Sequence, residues 1–266
     1  MKPVISVELM RQSDAHTIKT KISSRELMYN AGKSVFETAG IRDNSIIVCG
    51  SGNNAGDGYV IALEMAKAGL KCTLLLLGDK FSEDGLYYFN KCKDEGIPHI
   101  YADENTSFSQ YNDIVDCIFG TGFKGEPKGI CADVIDKINQ SGKRTVSVDI
   151  NSGLCGDNGR YVKCVKSSLT VSIGYLKTGF FLGDAPKVIG KLANADIGIE
   201  LCDRPYYLVE KEEDLPQNYT CFELPVCENP VEELIKHAKG RTLRWENIVT
   251  DGKDTYIFAG DTYHGN

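Results

Sequence analysis

No stretch of this chain approaches the 18 or so consecutive apolar residues that a membrane-spanning helix needs; the longest strand-like run, Thr73–Leu77, stops at Gly78-Asp79. Near the start, Glu8 interrupts before an apolar stretch of signal-peptide length can build. An excess of positive charge is also missing. The 30 Lys+Arg against 37 Asp+Glu leave a net charge of −7, which supplies no long-range field for nucleic acid or an anionic membrane. Neither is expected as a partner, and the chain reads as cytoplasmic. No Cys-x-x-Cys pair occurs, and His16, His99, His237 and His264 do not group with cysteines at zinc-site spacing, which disfavours a transition-metal centre. Internal repeats and low-complexity segments are absent.

What the chain does have is the balance of a folded globule, with 42% hydrophobic and 25% charged residues. Its 266 residues allow one large domain with a tail or two small ones, at about 150 residues per domain. Of the ten cysteines, Cys49, Cys72, Cys117 and Cys164 sit in or beside β-rich apolar runs, where a reduced thiol acts as a small hydrophobe.

Apolar spacing predicts helices over 6–18 and 23–39, the second with Ser23 or Ser24 as N-cap. Strands and helices then alternate: strand 45–49, helix 58–68, strand 71–77, helix 83–95, strand 113–119, helix 132–140, strand 145–150 and strand 169–173, with a further strand over 196–199. The expected fold is α/β, a three-layer, doubly wound, mostly parallel Rossmann-like sheet preceded by N-terminal helices, with ligands at the strands' carboxyl ends. After residue 202 the texture changes. The acidic stretch Glu210–Asp214, several prolines and a helix candidate over 230–239 read as a tail or small appendage, so the expected division is 1–202 and 203–266. The last apolar run, 254–261, reads as one more strand entering a turn.

The most informative stretch is Ile46–Gly58, a buried-strand pattern entering a glycine-rich turn that opens a helix. Gly50, Gly52 and Ala55 satisfy the loose Gly-x-Gly-x-x-Gly/Ala pattern, in which close backbone approach and helix N–H groups receive a pyrophosphate. Three features set it apart from a hydride-transfer fingerprint: the paired amides Asn53-Asn54, the carboxylate Asp57 inside the loop, and no ribose-gripping acid about 20 residues on, Asp79 being nearest. A tight strand-to-helix connection without a ligand is the plain alternative.

Two other strands end in oxygens. Asp116 lies in Asp116–Gly122 and Asp149 in Ser147–Gly153, and a doubly wound sheet gathers such ends. Several carboxylates in one crevice cannot all ionise cheaply; either a cation neutralises them or one holds its proton. Asn54, Asp116 and Ser152 offer only hard oxygens, suited to a group 1 or group 2 cation. A single strand-end Asp is more often a turn or helix cap; three such motifs together are not so easily explained. Gly120-Thr121-Gly122-Phe123-Lys124-Gly125 reads as a loop whose backbone approaches a ligand and whose Lys124 either meets a phosphate or is simply solvated.

Gly50–Gly58 resembles the Asn-Asn-Gly-Gly-Asp-Gly signature of the YjeF N-terminal domain family, the NAD(P)H-hydrate epimerases. The resemblance extends along about residues 4–200, through the opening helices with Asp14 and Leu27-Met28, the Asp116–Gly122 and Asp149–Gly153 segments, Gly174–Gly179 with Lys177, and Ala195–Ile199. It implies that Asn53, Asn54, Ala55, Gly56 and Asp57, together with Gly120, Thr121, Gly122, Phe123, Lys124, Gly125 and Glu126, contact a hydrated NADH or NADPH. Asp149 would lie against that substrate. It further implies a potassium ion held by Asn54, Asp116 and Ser152, a homodimer, and a dehydratase partner on a separate polypeptide. The chain departs from the family pattern at Ala55, at Asn151 in place of proline, at Cys155 in place of aspartate, and at Tyr29 in place of glutamate. Ala55 adds a Cβ where backbone approach is tight, and Asn151 is expected to loosen a turn.

The implied reaction interconverts the R and S forms of the hydrated nicotinamide. Acid-assisted loss of the C6 hydroxyl is pushed by the ring nitrogen, and water returns to either face, or the ring opens transiently. Asp149 is the expected acid/base group, holding its proton through burial and the neighbouring Asp116. Two other readings stand beside this one. A non-catalytic YjeF-like dimeric scaffold or nucleotide- or RNA-binding module is disfavoured by Asn54, Asp116, Asp149 and Ser152 occurring together. An ordinary Rossmann oxidoreductase is disfavoured by the acid inside the loop.

Overall fold

The computed structural model describes residues 2–260. In chain order the elements are β1 (Lys2–Ile5), α1 (Val7–Thr20), α2 (Ser24–Ala39), β2 (Ser45–Cys49), α3 (Asn53–Lys67), β3 (Cys72–Leu76), α4 (Glu83–Asp94), β4 (His99–Tyr101), β5 (Asp113–Cys117), α5 (Gly129–Gln140), β6 (Arg144–Val148), β7 (Leu169–Ile173), β8 (Leu176–Lys177) and β9 (Lys191–Ala195). Then come β10 (Tyr206–Val209), β11 (Thr220–Cys221), α6 (Pro230–Ala238), β12 (Leu243–Trp245), β13 (Ile248–Thr250) and β14 (Thr255–Phe258).

The main sheet has the order β4-β3-β2-β5-β6-β7-β9, with every neighbouring pair parallel. Its central strands β2 and β5 are buried along their whole length, as a sheet covered on both faces requires. Alternate side chains serve opposite layers. Ile47, Cys49, Leu74, Leu76, Val115 and Cys117 pack with α2 and α3, whereas Ile46, Val48, Leu75 and Ile114 pack with Val134, Ile135 and Ile138 of α5. The chain winds outward from β2 to β4, returns to β5 and winds outward the other way. The switch point therefore lies between β2 and β5, where such sheets open a crevice beyond their carboxyl ends.

Serine caps begin three helices: Ser6 accepts from the Leu9 N–H (3.1 Å), Ser23, one of the two serines expected to cap α2, from Glu26 (3.2 Å), and Ser82 from Gly85 (3.2 Å). Other boundaries differ from the sequence reading. Helix α3 starts at Asn53 and not at 58, because the paired amides are its first turn. The strand expected over 196–199 is displaced to β9; the Asp196 side chain accepts from Gly198 N–H (2.9 Å) and turns the chain there. The strand expected to reach residue 150 stops at Val148, since Asp149 adopts φ +67°. The last expected strand is β14, and residue 261 lies outside the described residues.

The segment after residue 202 is no loose tail. A second sheet, β11-β12-β13-β14-β10-β1-β8, joins it to the first strand of the chain, with Lys2 opposite Leu208 and Val4 opposite Tyr206. Val4, Leu208 and Ile257 share one apolar cluster with Ile150, Phe180 and Phe181. Burying that surface holds the final segment on the body. All ten cysteines are free thiols, and Cys49, Cys72, Cys117 and Cys164 are buried. No helix among the described residues is long and apolar enough to cross a membrane.

Asp113 locks the amino end of β5. It is fully buried, accepts from the Arg42 backbone N–H (2.9 Å) and Nε (2.7 Å), and pairs with Arg144 Nη1 (2.7 Å). Burial alone pushes its carboxyl up, but hydrogen bonds from Arg42 and the Arg144 charge outweigh it and hold the group below the ordinary carboxylate range. A depressed folded-state value contributes stability that is fully present above the unfolded value of about 3.9 and is lost as pH falls on through the folded-state value. Asp113→Ala should therefore cost about 1–3 kcal/mol in denaturant unfolding at pH 7, and progressively less as pH falls through the folded-state value.

Candidate functional site

A cavity of about 580 Å³ opens at the switch point. Its construction begins with glycine: a Cβ on Gly50 would stand 2.1 Å from the Ile118 carbonyl oxygen, so only a bare backbone lets the ends of β2 and β5 come this close. Gly52 then caps α3 without any side-chain hydrogen bond. The first N–H groups of the helix are left without a side-chain partner at the cavity rim, the arrangement that receives phosphate oxygens. Asn53 and Asp57, one helical turn apart, both line the cavity. Ala55 and Gly56 turn away from it. Ala55 is buried in the core, and a Cβ on Gly56 would meet Met28 Sδ at 2.4 Å, so the extra methyl of Ala55 does not narrow the ligand's approach.

The oxygen-bearing trio gathers beneath the Gly120 turn. Ser152 Oγ donates to Asp116 Oδ1 (2.5 Å), and Asp116 Oδ2 accepts from Ser147 Oγ (2.7 Å) and Ser152 N–H (2.9 Å). Burial pushes the Asp116 carboxyl up, and these donors only partly offset it. Phe119 links the trio: its N–H donates to Ser152 Oγ (2.9 Å), and its carbonyl accepts from Asn54 Nδ2 (3.0 Å). Asn54 Oδ1 is buried and accepts no hydrogen bond from any described residue. An amide oxygen left unpaired in the interior costs about 1–3 kcal/mol, so it marks a place where something else supplies positive charge or a donor.

Asp149 follows β6 in the left-handed region, which swings its carboxylate toward the cavity. Its Oδ1 accepts from Lys177 Nζ (2.6 Å) and its Oδ2 from the Thr121 N–H (3.2 Å). Lys177 is fully buried and also donates to Ser172 Oγ (3.1 Å) and the Ile173 carbonyl (2.8 Å). The charged neighbour that touches Asp149 is thus Lys177; Asp116, expected in that role, is satisfied by serines instead. A Cβ on Gly120 would lie 3.3 Å from Asp149 Oδ2 and 3.4 Å from Asn54 Cβ, which brings the two regions to one point.

Two further carboxyls of the cavity hold their protons. Asp14 of α1 is pushed up to about 6 by burial, with Lys177 opposing and Asp149 reinforcing the shift. Asp57 is pushed well above the usual carboxylate range by burial and by the charges of Asp149 and Asp14. It keeps partial contact with the open cavity although protein surrounds it.

Of the other residues implied as substrate contacts, Gly120, Thr121, Gly122 and Phe123 line the cavity. The Phe119 and Phe123 rings stack at 4.0 Å across that turn. Lys124, Gly125 and Glu126 stand outside the lining, and Lys124 faces Glu228 at 3.6 Å on the exposed surface. Asn151 does not loosen its turn. It is buried, donates to the Val165 and Val188 carbonyls (3.0 Å each) and Ser167 Oγ (3.0 Å), and accepts from Thr170 Oγ1 (2.7 Å). Those bonds hold the segment as a proline ring would. The sequence reading left Asp14 and Lys177 out of the site. The first carries a signal, an acid at helical spacing between Met10 and Ile18 that all face the cavity, whereas nothing local marks a lysine as buried.

A family model described as YjeF-related protein N-terminus matches residues 24–179. An NAD(P)H-hydrate epimerase of Lentilactobacillus buchneri is 35% identical over 210 residues, covering 75% of this chain and 96% of that protein. A bifunctional NAD(P)H-hydrate repair enzyme of Moorella thermoacetica is 35% identical over 199 residues, a match to 67% of this chain that spans only 37% of the longer relative. The crystal structure of yeast ynu0 has a TM-score of 0.60 and 22% identity, covering 66% of this chain and 82% of that one, a likeness of fold.

Removing the buried ammonium should expose its importance. Lys177→Met leaves Asp149 without its counter-charge, and a loss of about 3–5 kcal/mol in denaturant unfolding is expected; an unchanged midpoint would show that the pair contributes nothing net.

Proposed function

Because the chain belongs to the YjeF-related N-terminal family, we propose that it is an isomerase that interconverts the R and S forms of hydrated NADH and NADPH, a repair of damaged nicotinamide nucleotides. The observation that carries this reading is the convergence, at one switch-point cavity, of the uncapped α3 N-terminus with a carboxylate held by a buried lysine. The first is suited to a dinucleotide's phosphates, the second to proton transfer at an oxygen.

The α3 N–H groups with Asn53 bind the pyrophosphate, and the Gly120–Phe123 turn lies along the nucleotide. Asp149 is the acid/base group. Its Oδ1 is engaged by Lys177, so Oδ2, at the Gly120 turn, exchanges the proton with the C6 hydroxyl. The hydroxyl leaves as water, the ring nitrogen's lone pair forms a C=N bond, and a planar cation remains. Water then adds to C6, the C=N electron pair returns to nitrogen, and the added water gives up one proton, which restores the Asp149 carboxyl. No electron enters or leaves.

The donor set fits a potassium ion: Asn54 Oδ1 lacks a partner, and the Asp116 carboxylate, Ser152 Oγ and the Phe119 carbonyl are hard oxygens gathered beside it. Such an ion would supply positive charge that offsets Asp116 and pins the Phe119–Gly120 turn. A second copy of this chain and a separate dehydratase are the partners proposed with this reading. The free thiols suit a reducing compartment, and the cytoplasm is proposed.

Incubating the purified protein with one hydrate epimer and following the isomer ratio tests the reaction. Exchange above the uncatalysed rate is expected, faster in potassium than in a bulky organic cation. Asp149→Asn should slow it by about 10²–10⁴-fold. Exchange no faster than in buffer rejects the reaction, and full activity in Asp149→Asn rejects the residue.

A further inference from the structure

Epimerisation at C6 makes a geometric demand that one carboxylate does not meet. The hydroxyl departs from one face of the ring, and the water that forms the other epimer arrives at the opposite face. A proton must be given on one side and taken on the other. Asp149 Oδ2 reaches the cavity from the carboxyl edge of the main sheet, and Lys177 holds it there.

A second carboxylate enters the same cavity from a different wall. Asp14 projects from α1, which lies outside the sheet and contributes Met10 and Ile18 to the same lining. No described residue donates a hydrogen bond to the Asp14 side chain, so its oxygens stay free for a ligand. Resting on the epimerase reading of this cavity, we propose that Asp14 is the second catalytic acid/base group, serving the ring face opposite to the one served by Asp149.

In one direction the Asp14 carboxyl gives its proton to the departing hydroxyl. The C6–O bond breaks with its pair on oxygen, and the nitrogen lone pair forms C=N. Water then attacks C6 from the far side, the C=N pair returns to nitrogen, and the surplus proton of the attacking water passes to Asp149. The reverse direction exchanges the roles. One proton is shared by the two carboxylates throughout, and transfer through cavity water restores the starting state.

The charges around Asp14 suit that work. Burial holds its proton on up to about pH 6, with Lys177 of β8 opposing and Asp149 reinforcing the shift. Asp57 of α3 is coupled to both carboxylates. Asp84, which lines the cavity from α4, is occupied by Ser24 Oγ (2.6 Å) and Arg25 Nε (3.1 Å). A carboxyl tuned toward neutrality is what two-way proton transfer calls for. Since the Asp14–Asp149 pair carries one proton in its productive form, loss of that proton as pH rises through the Asp14 value removes the active form.

The test is the pH profile of epimer exchange. Wild type should show kcat/KM falling above about pH 6. Asp14→Asn should lower kcat by about 10²–10⁴-fold with KM little changed, and should abolish that limb. Asp14→Glu should restore much of the rate with the limb displaced. Asp14→Ser gives the same comparison should the Asn variant fail to fold. Wild-type exchange with Asp14→Asn retaining both rate and limb overturns the proposal and leaves the epimerase reading standing. A lowered rate with the limb intact also overturns it, making Asp14 a structural residue. No exchange by wild type removes the epimerase reading itself.

Discussion

The ammonium of Lys177 has no contact with solvent, and its three hydrogen bonds decide how the two sheets and the cavity meet. It ties Asp149 at the end of β6 to Ser172 and Ile173 at the end of β7, while its own strand β8 pairs with β1 in the second sheet. A buried charge with every donor used is tolerated; one with a donor missing is not, because desolvation is then uncompensated. That constraint fixes the Asp149 carboxylate, and through it the Gly120 turn.

Four aspartates in this chain, Asp113, Asp116, Asp14 and Asp57, illustrate how surroundings and not residue type set proton affinity. Asp113 has two guanidinium partners and is held low; Asp116 has only serine and backbone donors and is held high. Asp14 and Asp57 face the cavity with no described donor and keep their protons further up the pH scale. Asp14 and Asp57 share the cavity with the Lys177-paired Asp149, a setting suited to reversible proton transfer at a substrate oxygen. The same economy of donors leaves Asn54 Oδ1 unsatisfied while its amide nitrogen holds the Phe119 carbonyl, the corner for which a potassium ion is proposed.

Hydrophobic periodicity and strand-ending glycines made the main sheet legible, since a parallel strand buried on both faces is a short continuous apolar run and its crossover helix has a different period. Leu169–Ile173 of β7 could be read residue by residue, and the cap of α2 to one of two adjacent serines. The second sheet could not. Its strands are two to four residues long, and β1 pairs with a strand two hundred positions away, a distance no local pattern spans. Asn151 shows the same limit on a smaller scale: as a departure from proline it suggested slack, and only its four long-range partners show that it is a cross-link.

The sequence by itself determined the α/β alternation, the Gly50–Gly58 loop that opens α3, and the supply of hard oxygens at Asn54, Asp116, Asp149 and Ser152, because these depend on residue type and short spacing. Tertiary structure decided which oxygens are spoken for. It set Lys177 against Asp149, serines around Asp116, and Asp14 and Asp57 facing open space, because proton affinity depends on burial and on neighbours that only the folded chain brings together.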